Sequence, residues 1–239
     1  EQQAERKLRS LLSSAGLQEL TTLSLVGPNA DDERIAISNP LLAETSHLRT
    51  NLLDEHLAVC VRNLKASQSG CWIFELGTTY AGSADSVQET AQLAGVICGD
   101  RRMERWTSSG KPHAPTYFDA RGRLTEVMEA LKLEVSDRRL SDDPRLHPGR
   151  AATLVLEGRP LGCFGQLHPQ LAEANDLPEA TYVFELDLKR VGRRGRQPAR
   201  TRAHRRLVAA GRRGHDPQDG AAQGVTAWFF PWMISVLAI

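Results

Sequence analysis

The chain has 239 residues, enough for one large domain or two small ones with a real core. Hydrophobic residues make up 41% and charged residues 25%, the balance of a soluble globular protein. The net charge of +1 hides an asymmetry: residues 189–239 carry ten Arg and one Lys against two Asp, leaving a net of −8 on the first 188 residues, and this excludes one homogeneous domain.

In chain order, Leu8, Leu11, Leu12 and Ala15 fall at i, i+3, i+4 and i+7, which predicts a first helix stopped by Gly16. Residues 18–26 alternate Leu23 and Leu25 against Thr22 and Ser24 and predict a strand, followed by a polar loop over 27–33. Ile35 and Ile37 begin a short strand that ends at Asn39-Pro40, because Pro40 cannot donate to a ladder. A second helix is predicted over 53–66, with Leu53, Leu57, Val61 and Leu64 on one face.

Residues 71–80 read as a strand, 82–86 as a turn, and 90–98 as a strand closed by Gly99-Asp100. A third helix covers 117–131, with Leu124, Val127, Met128 and Leu131 inward. Residues 151–157 and 161–167 form a hairpin across Gly158-Arg159-Pro160. A short helix at 169–174 and a strand at 182–188 follow. Strand pairs joined by short turns predict a mainly antiparallel sheet with helices over a face, an α+β architecture. After Leu188 the pattern changes. Ten Arg between 190 and 213, then a small polar stretch, predict a disordered basic C-terminal tail.

Cys60, Cys71, Cys98 and Cys163 are far apart and make no C-x-x-C pair, so they are expected as buried thiols in a reducing, cytoplasmic setting rather than as a zinc site. Residues 1–13 are charged and helical, unlike a secretory leader, and the apolar run at 228–239 is too short to span a bilayer, so no membrane association is expected.

Chemistry-bearing motifs are sparse. No phosphate loop, H-E-x-x-H or G-x-S-x-G is present. Asp31-Asp32 and Asp142-Asp143 read as solvated turns. His147 and His168 each precede a proline and are expected to fix turns by bonding a carbonyl. Arg49 suits bidentate anion binding, with a surface ion pair as its commoner fate. The residues alone thus give an α+β domain with no visible active site.

Six segments in order carry a resemblance. LLSSAGLQELTTLSLV (11–26), ISNPLLAETSHLRTNLLDEHLAVCVRNL (37–64), IFELGTTY (73–80), YFDARGRLTEVMEAL (117–131), LHPGRAA with GCFGQLHP (146–152, 162–169) and FELDL (184–188) are similar to the catalytic-like module of bacterial phenylalanyl-tRNA synthetase beta subunits. The resemblance implies a class II aminoacyl-tRNA synthetase-like antiparallel sheet flanked by helices over 1–188. It implies a core-like module without catalytic, cofactor-binding or metal-binding residues of its own. In class II enzymes a second motif places an Arg and a Glu on ATP, and a third offers a Gly-rich strand and a helix ending in Arg; here IFELGTTY has Glu75 but no Arg, and FELDLKRV (184–191) has no preceding Gly-rich run and its Arg190 is followed directly by the anomalous tail.

The resemblance further implies that ATP and Mg²⁺ are used by other parts of the whole enzyme, and that the partners are the alpha subunit and, through the alpha2-beta2 holoenzyme, tRNA(Phe). Residues 39–64 are expected to help form the alpha interface, with Asn39, Pro40, Arg49, Leu53 and Leu57 as candidates. The Arg-rich segment 189–239 departs from the family and is expected to be a frameshifted or chimeric tail. The alternative is a free-standing RNA-binding module, whose basic tail would grip phosphates, or a regulatory class II synthetase paralogue.

Overall fold

The computed structural model describes residues 2–29, 33–100 and 113–194. Helix α1 (Gln2–Ser14) buries Leu8 and Leu12, the stripe expected from their spacing. Residues 18–26 do not form one strand. They supply two two-residue strands, β1 (Gln18–Glu19) and β2 (Leu25–Val26), which join different sheets. Ile35 and Ile37 flank a single bridge, Ala36 to His47, rather than opening a strand. A 3-10 turn (Ala43–Thr45) leads to β3 (His47–Leu48), which pairs antiparallel with β2. Helix α2 (Leu53–Lys65) follows; its buried line is Leu53, His56 and Cys60, while Leu57, Val61 and Leu64 are half-buried. The packed stripe is thus rotated from the leucine face, because a histidine and a cysteine lie innermost.

Strands β4 (Gly70–Ser83) and β5 (Ser86–Gly99) form a long hairpin, in register from Ser83 opposite Ser86 to Gly70 opposite Gly99. Helix α3 (Tyr117–Ala130) starts at a reciprocal cap. The Thr116 side chain accepts from the Asp119 N–H, and the Asp119 carboxylate accepts from the Thr116 N–H. Strand β6 (Val135–Arg139), which the pattern did not mark, pairs with β7 (Leu146–Leu156).

Strand β8 (Arg159–Leu167) returns from β7 through Glu157 and Gly158, so the connection has two residues rather than the expected three. Both have positive φ, 53° and 77°, as a I′ hairpin turn requires. Arg159 and Pro160 belong to β8, where the register skips Leu161, and a second irregularity spans His147–Arg150 around Pro148. Both prolines therefore sit beside bulges, where a missing N–H is tolerated. Helix α4 (Pro169–Ala174), strand β9 (Thr181–Asp187) and helix α5 (Leu188–Arg194) complete the described chain. Leu188, read as the end of a strand, and residues 189–194, read as the start of the tail, are helical, with Leu188 and Val191 buried. The rest of the expected tail, 195–239, lies outside the described residues, as does Asp31-Asp32.

The main sheet has the order β1-β4-β5-β9-β8-β7-β6 and is antiparallel except for the β1–β4 edge. Helices cover both faces, not one. Alternate residues of the central strands explain this. Trp72, Phe74, Leu93, Ile97, Phe184 and Leu186 pack with Leu8 and Leu12 of α1, Leu124 and Met128 of α3, and Val191 of α5. The intervening Cys71, Ile73, Ala94, Val96, Cys98 and Val183 pack with Leu53 and Cys60 of α2 and Ala172 of α4. A strand buried on both faces reads as a continuous apolar run, as AGVIC in β5 does. Among the described residues no helix is long and apolar enough to cross a membrane.

Candidate functional site

On the α2 side of β4, the positions after Ile73 lose their apolar side chains: Glu75 and Thr79 are polar and Gly77 has none. Glu75 is 1% exposed and Arg49 is 3% exposed. Arg49 reaches in from the segment between β3 and α2. Its Nη1 donates to Glu75 Oε1 at 3.0 Å and to Thr22 Oγ1 at 2.7 Å, and its Nε donates to the Thr78 carbonyl at 2.9 Å. Glu75 Oε2 accepts from the Thr22 hydroxyl at 2.6 Å and lies 3.0 Å from His56 Nε2 of α2. His56 Nδ1 is buried with no hydrogen-bond partner, and Nε2 is the ring nitrogen that donates to the Glu75 carboxylate.

Gly77 is what lets the guanidinium in. A Cβ there would stand 2.7 Å from Arg49 Nη2 and 2.9 Å from both Glu75 Oε1 and Leu52 Cδ2. Burial pushes the Glu75 carboxyl up, but the His56 and Thr22 hydrogen bonds and the Arg49 charge outweigh it and hold it at about 2. The cluster is a buried charge pair in which Arg49, Glu75 and Thr22 spend their hydrogen bonds on one another and His56 Nδ1 alone lacks a partner.

Arg49 is therefore neither a surface ion pair nor an open anion site. Arg190, at the start of α5, is also engaged: its Nε lies 3.0 Å from Asp187 Oδ2, and its Nη1 donates to the Pro160 carbonyl. Across the sheet, Arg145 bridges Asp143 at 2.9 Å and Glu185 at 2.8 Å. Burial raises the Asp143 carboxyl, and the hydrogen bonds from Arg145 outweigh it and lower it. Asp143 is thus half-buried and paired rather than a solvated turn residue.

His147 and His168 do fix turns, by accepting rather than by bonding a carbonyl. Their Nδ1 atoms take the N–H of Gly149 at 3.0 Å and of Gln170 at 3.3 Å, and His168 thereby caps α4.

Of the candidate interface residues, Asn39 and Pro40 are exposed, Leu57 is half-buried, and Arg49 and Leu53 face inward. The structure brings Arg49 to Glu75 and leaves Asn39 and Pro40 on a separate lobe. His56, Thr22 and Gly77 were missed by sequence reasoning. His56 carried a signal, a polar residue three positions after Leu53 on an apolar helix face. Thr22 carried none.

Cys60, Cys71 and Cys98 are buried together, while Cys163 is half-buried. Hydrogen bonding with the Cys71 and Cys98 thiols, with burial, pushes the Cys60 thiol far up, so it stays protonated. Among the described residues no set of three His, Cys, Asp or Glu side chains is arranged to hold a metal ion.

The antiparallel sheet with helices on both faces is the fold of class II aminoacyl-tRNA synthetases. The pyrrolysyl tRNA synthetase of Desulfitobacterium hafniense is similar with a TM-score of 0.54 at 15% identity, covering 79% of this chain and 64% of that one. A second structure of that organism's enzyme gives 0.54 at 14%, covering 79% and 67%. At these identities the likeness is one of fold.

Residues 1–188 match the family described as the Phenylalanyl tRNA synthetase beta chain CLM domain, and the chain belongs to that family. It is 77% identical over 190 residues to the phenylalanine–tRNA ligase beta subunit of Parasynechococcus marenigrum (strain WH8102), covering 80% of this chain and 23% of that protein. The beta subunit of Synechococcus sp. (strain CC9605) is 72% identical over 190 residues, covering 80% and 24%. The chain thus spans about a quarter of the length of the curated relatives it matches.

Proposed function

We propose that this chain acts as the non-catalytic, core-like module of a phenylalanine–tRNA ligase beta subunit, supporting assembly with the alpha subunit rather than activating phenylalanine itself. The observation that carries this reading is the engagement of both arginines nearest the class II motifs: Arg49 is locked onto Glu75, and Arg190 is tied to Asp187 and the Pro160 carbonyl. A triphosphate needs free guanidinium or ammonium groups aimed at its oxygens. With both guanidinium groups committed and the Arg49–Glu75 pair buried, these residues do not fit ATP with Mg²⁺. Charging of tRNA(Phe) with phenylalanine, using ATP and Mg²⁺, then belongs to the whole cytoplasmic enzyme through its other parts.

What this module contributes is surface on the segment 39–64. Asn39, Pro40 and the half-buried Leu57 supply it directly, while Arg49 and Leu53 act from inside by anchoring the segment to the sheet. The purified chain is expected to give no phenylalanine-dependent pyrophosphate exchange, and to retain a co-expressed phenylalanyl-tRNA synthetase alpha subunit on affinity chromatography. Exchange by the chain alone would overturn the non-catalytic reading, and failure to retain alpha would overturn the assembly reading.

A further inference from the structure

Among the described residues seven large hydrophobic side chains are exposed, and four of them lie on one small lobe: Leu23 at 70%, Leu25 at 39%, Leu41 at 93% and Leu42 at 57%. Scattered apolar side chains are normal on a surface; a concentration of them marks an interaction site. The lobe is the segment 23–48, built on the two-stranded sheet of β2 and β3 with the 3-10 turn, a sheet separate from the seven-stranded one.

The lobe is an ordered platform. Leu25 pairs with Leu48 and Val26 with His47. The Ile37 N–H donates to the Ser46 carbonyl at 2.8 Å, and the Leu48 N–H to the Ile35 carbonyl at 2.9 Å. The Thr45 N–H closes the turn on the Leu42 carbonyl at 3.2 Å. Val26 and Ile35 already fill its inner side. Leu23, Leu41 and Leu42 are therefore a surplus that its own fold leaves mostly uncovered.

Its charge says what kind of partner fits. Among the described residues of 23–48 the acidic side chains are Glu33 and Glu44, against Arg34 alone. Arg34 is committed to Asp54 at 2.9 Å and to the Gly27 carbonyl at 2.9 Å, whereas Glu33 and Glu44 are exposed. An apolar tip on the same lobe as the exposed carboxylates of Glu33 and Glu44 complements an apolar pocket bordered by Lys and Arg. A second copy of this chain would set Glu33 and Glu44 against the same two carboxylates.

We infer that this lobe inserts Leu41 and Leu42 into an apolar pocket with a basic rim on the alpha subunit. The inference rests on the assembly reading and names the surface and its chemistry. Buried leucines supply the affinity, and the rim charges supply encounter rate and partner choice.

The test measures binding of the full chain to purified alpha subunit, by sedimentation velocity and interferometry, over a range of salt. The exposed pair Leu41→Asp with Leu42→Asp should leave the circular dichroism and melting temperature unchanged and weaken binding by about tenfold or more. The pair Glu33→Lys with Glu44→Lys should slow association and abolish its salt dependence. Parent-like binding by both variants overturns this inference and leaves the assembly reading standing. No binding by the parent chain sinks both. A parent homodimer dissolved by the Leu41→Asp, Leu42→Asp pair makes a second copy the occupant and overturns the inference.

Discussion

Glu75 keeps its charge where burial alone would remove it. The carboxyl is held at about 2 against an ordinary 4.5, because three neighbours favour the anion more than burial disfavours it. The sign of the consequence follows from proton counting. As pH falls, the unfolded chain takes up this proton near 4.5 while the folded chain still resists it, so the stability the group contributes is present above 4.5 and is lost as pH falls through about 2. Urea melts between about pH 2 and 6 should therefore show a steeper acid loss in the parent than in Glu75→Gln, whose amide has no such proton to bind. Equal slopes would show that another carboxylate carries the acid sensitivity.

Arg49 and Glu75 both stood out in the sequence, but their pairing did not. They are 26 residues apart on elements that meet only when α2 packs on β4. Thr22 joins them from 53 residues before Glu75. No local period encodes such a meeting, and an isolated arginine in a polar stretch looks the same whether it ends in water or in a core.

Elements were legible where one side chain type repeats at a helical or strand period. α1, α3 and α4 follow from their apolar spacing or from a proline start, β5 from its apolar run, and β9 from the alternation of Tyr182, Phe184 and Leu186. β6 was not, because VSDRR is an edge strand whose exposed charges protect an open edge and erase the apolar alternation. The 18–26 segment alternates like a strand, yet its middle is used to bring Thr22 to Glu75, leaving only its ends to pair.

The β7–β8 turn separates two roles of glycine. At Gly158 a Cβ would meet nothing within 4 Å, but φ is +77°, so the cost of a side chain is backbone strain alone. Gly158→Ala should lower stability by about 1 kcal/mol without shifting the urea m-value, as read in chemical denaturation. A loss above about 3 kcal/mol would mean that the turn sets the register of the whole hairpin rather than merely closing it.

At the scale of the molecule, the two core clusters meet on the same central strands and not on the lobe. Val96 and Ile97 of β5 and Val183 and Phe184 of β9 are fully buried, facing opposite sides alternately, so opening either strand exposes both clusters at once. The β2–β3 lobe contributes two-residue strands and a single extra bridge, and presents its leucines outward. Local stability scales with buried apolar contact and with shielding of backbone hydrogen bonds. Amide hydrogen exchange should therefore rank β5 and β9 slowest, near the global unfolding free energy, and residues 33–48 fastest among the described segments other than the first turn of α1. Addition of alpha subunit should slow exchange in 33–48 while leaving β5 and β9 unchanged, since their exchange already awaits global opening. Slow exchange of the lobe in the free chain would mean that its leucines are covered before any partner arrives, and the surface assigned to assembly would have to be sought elsewhere along α2.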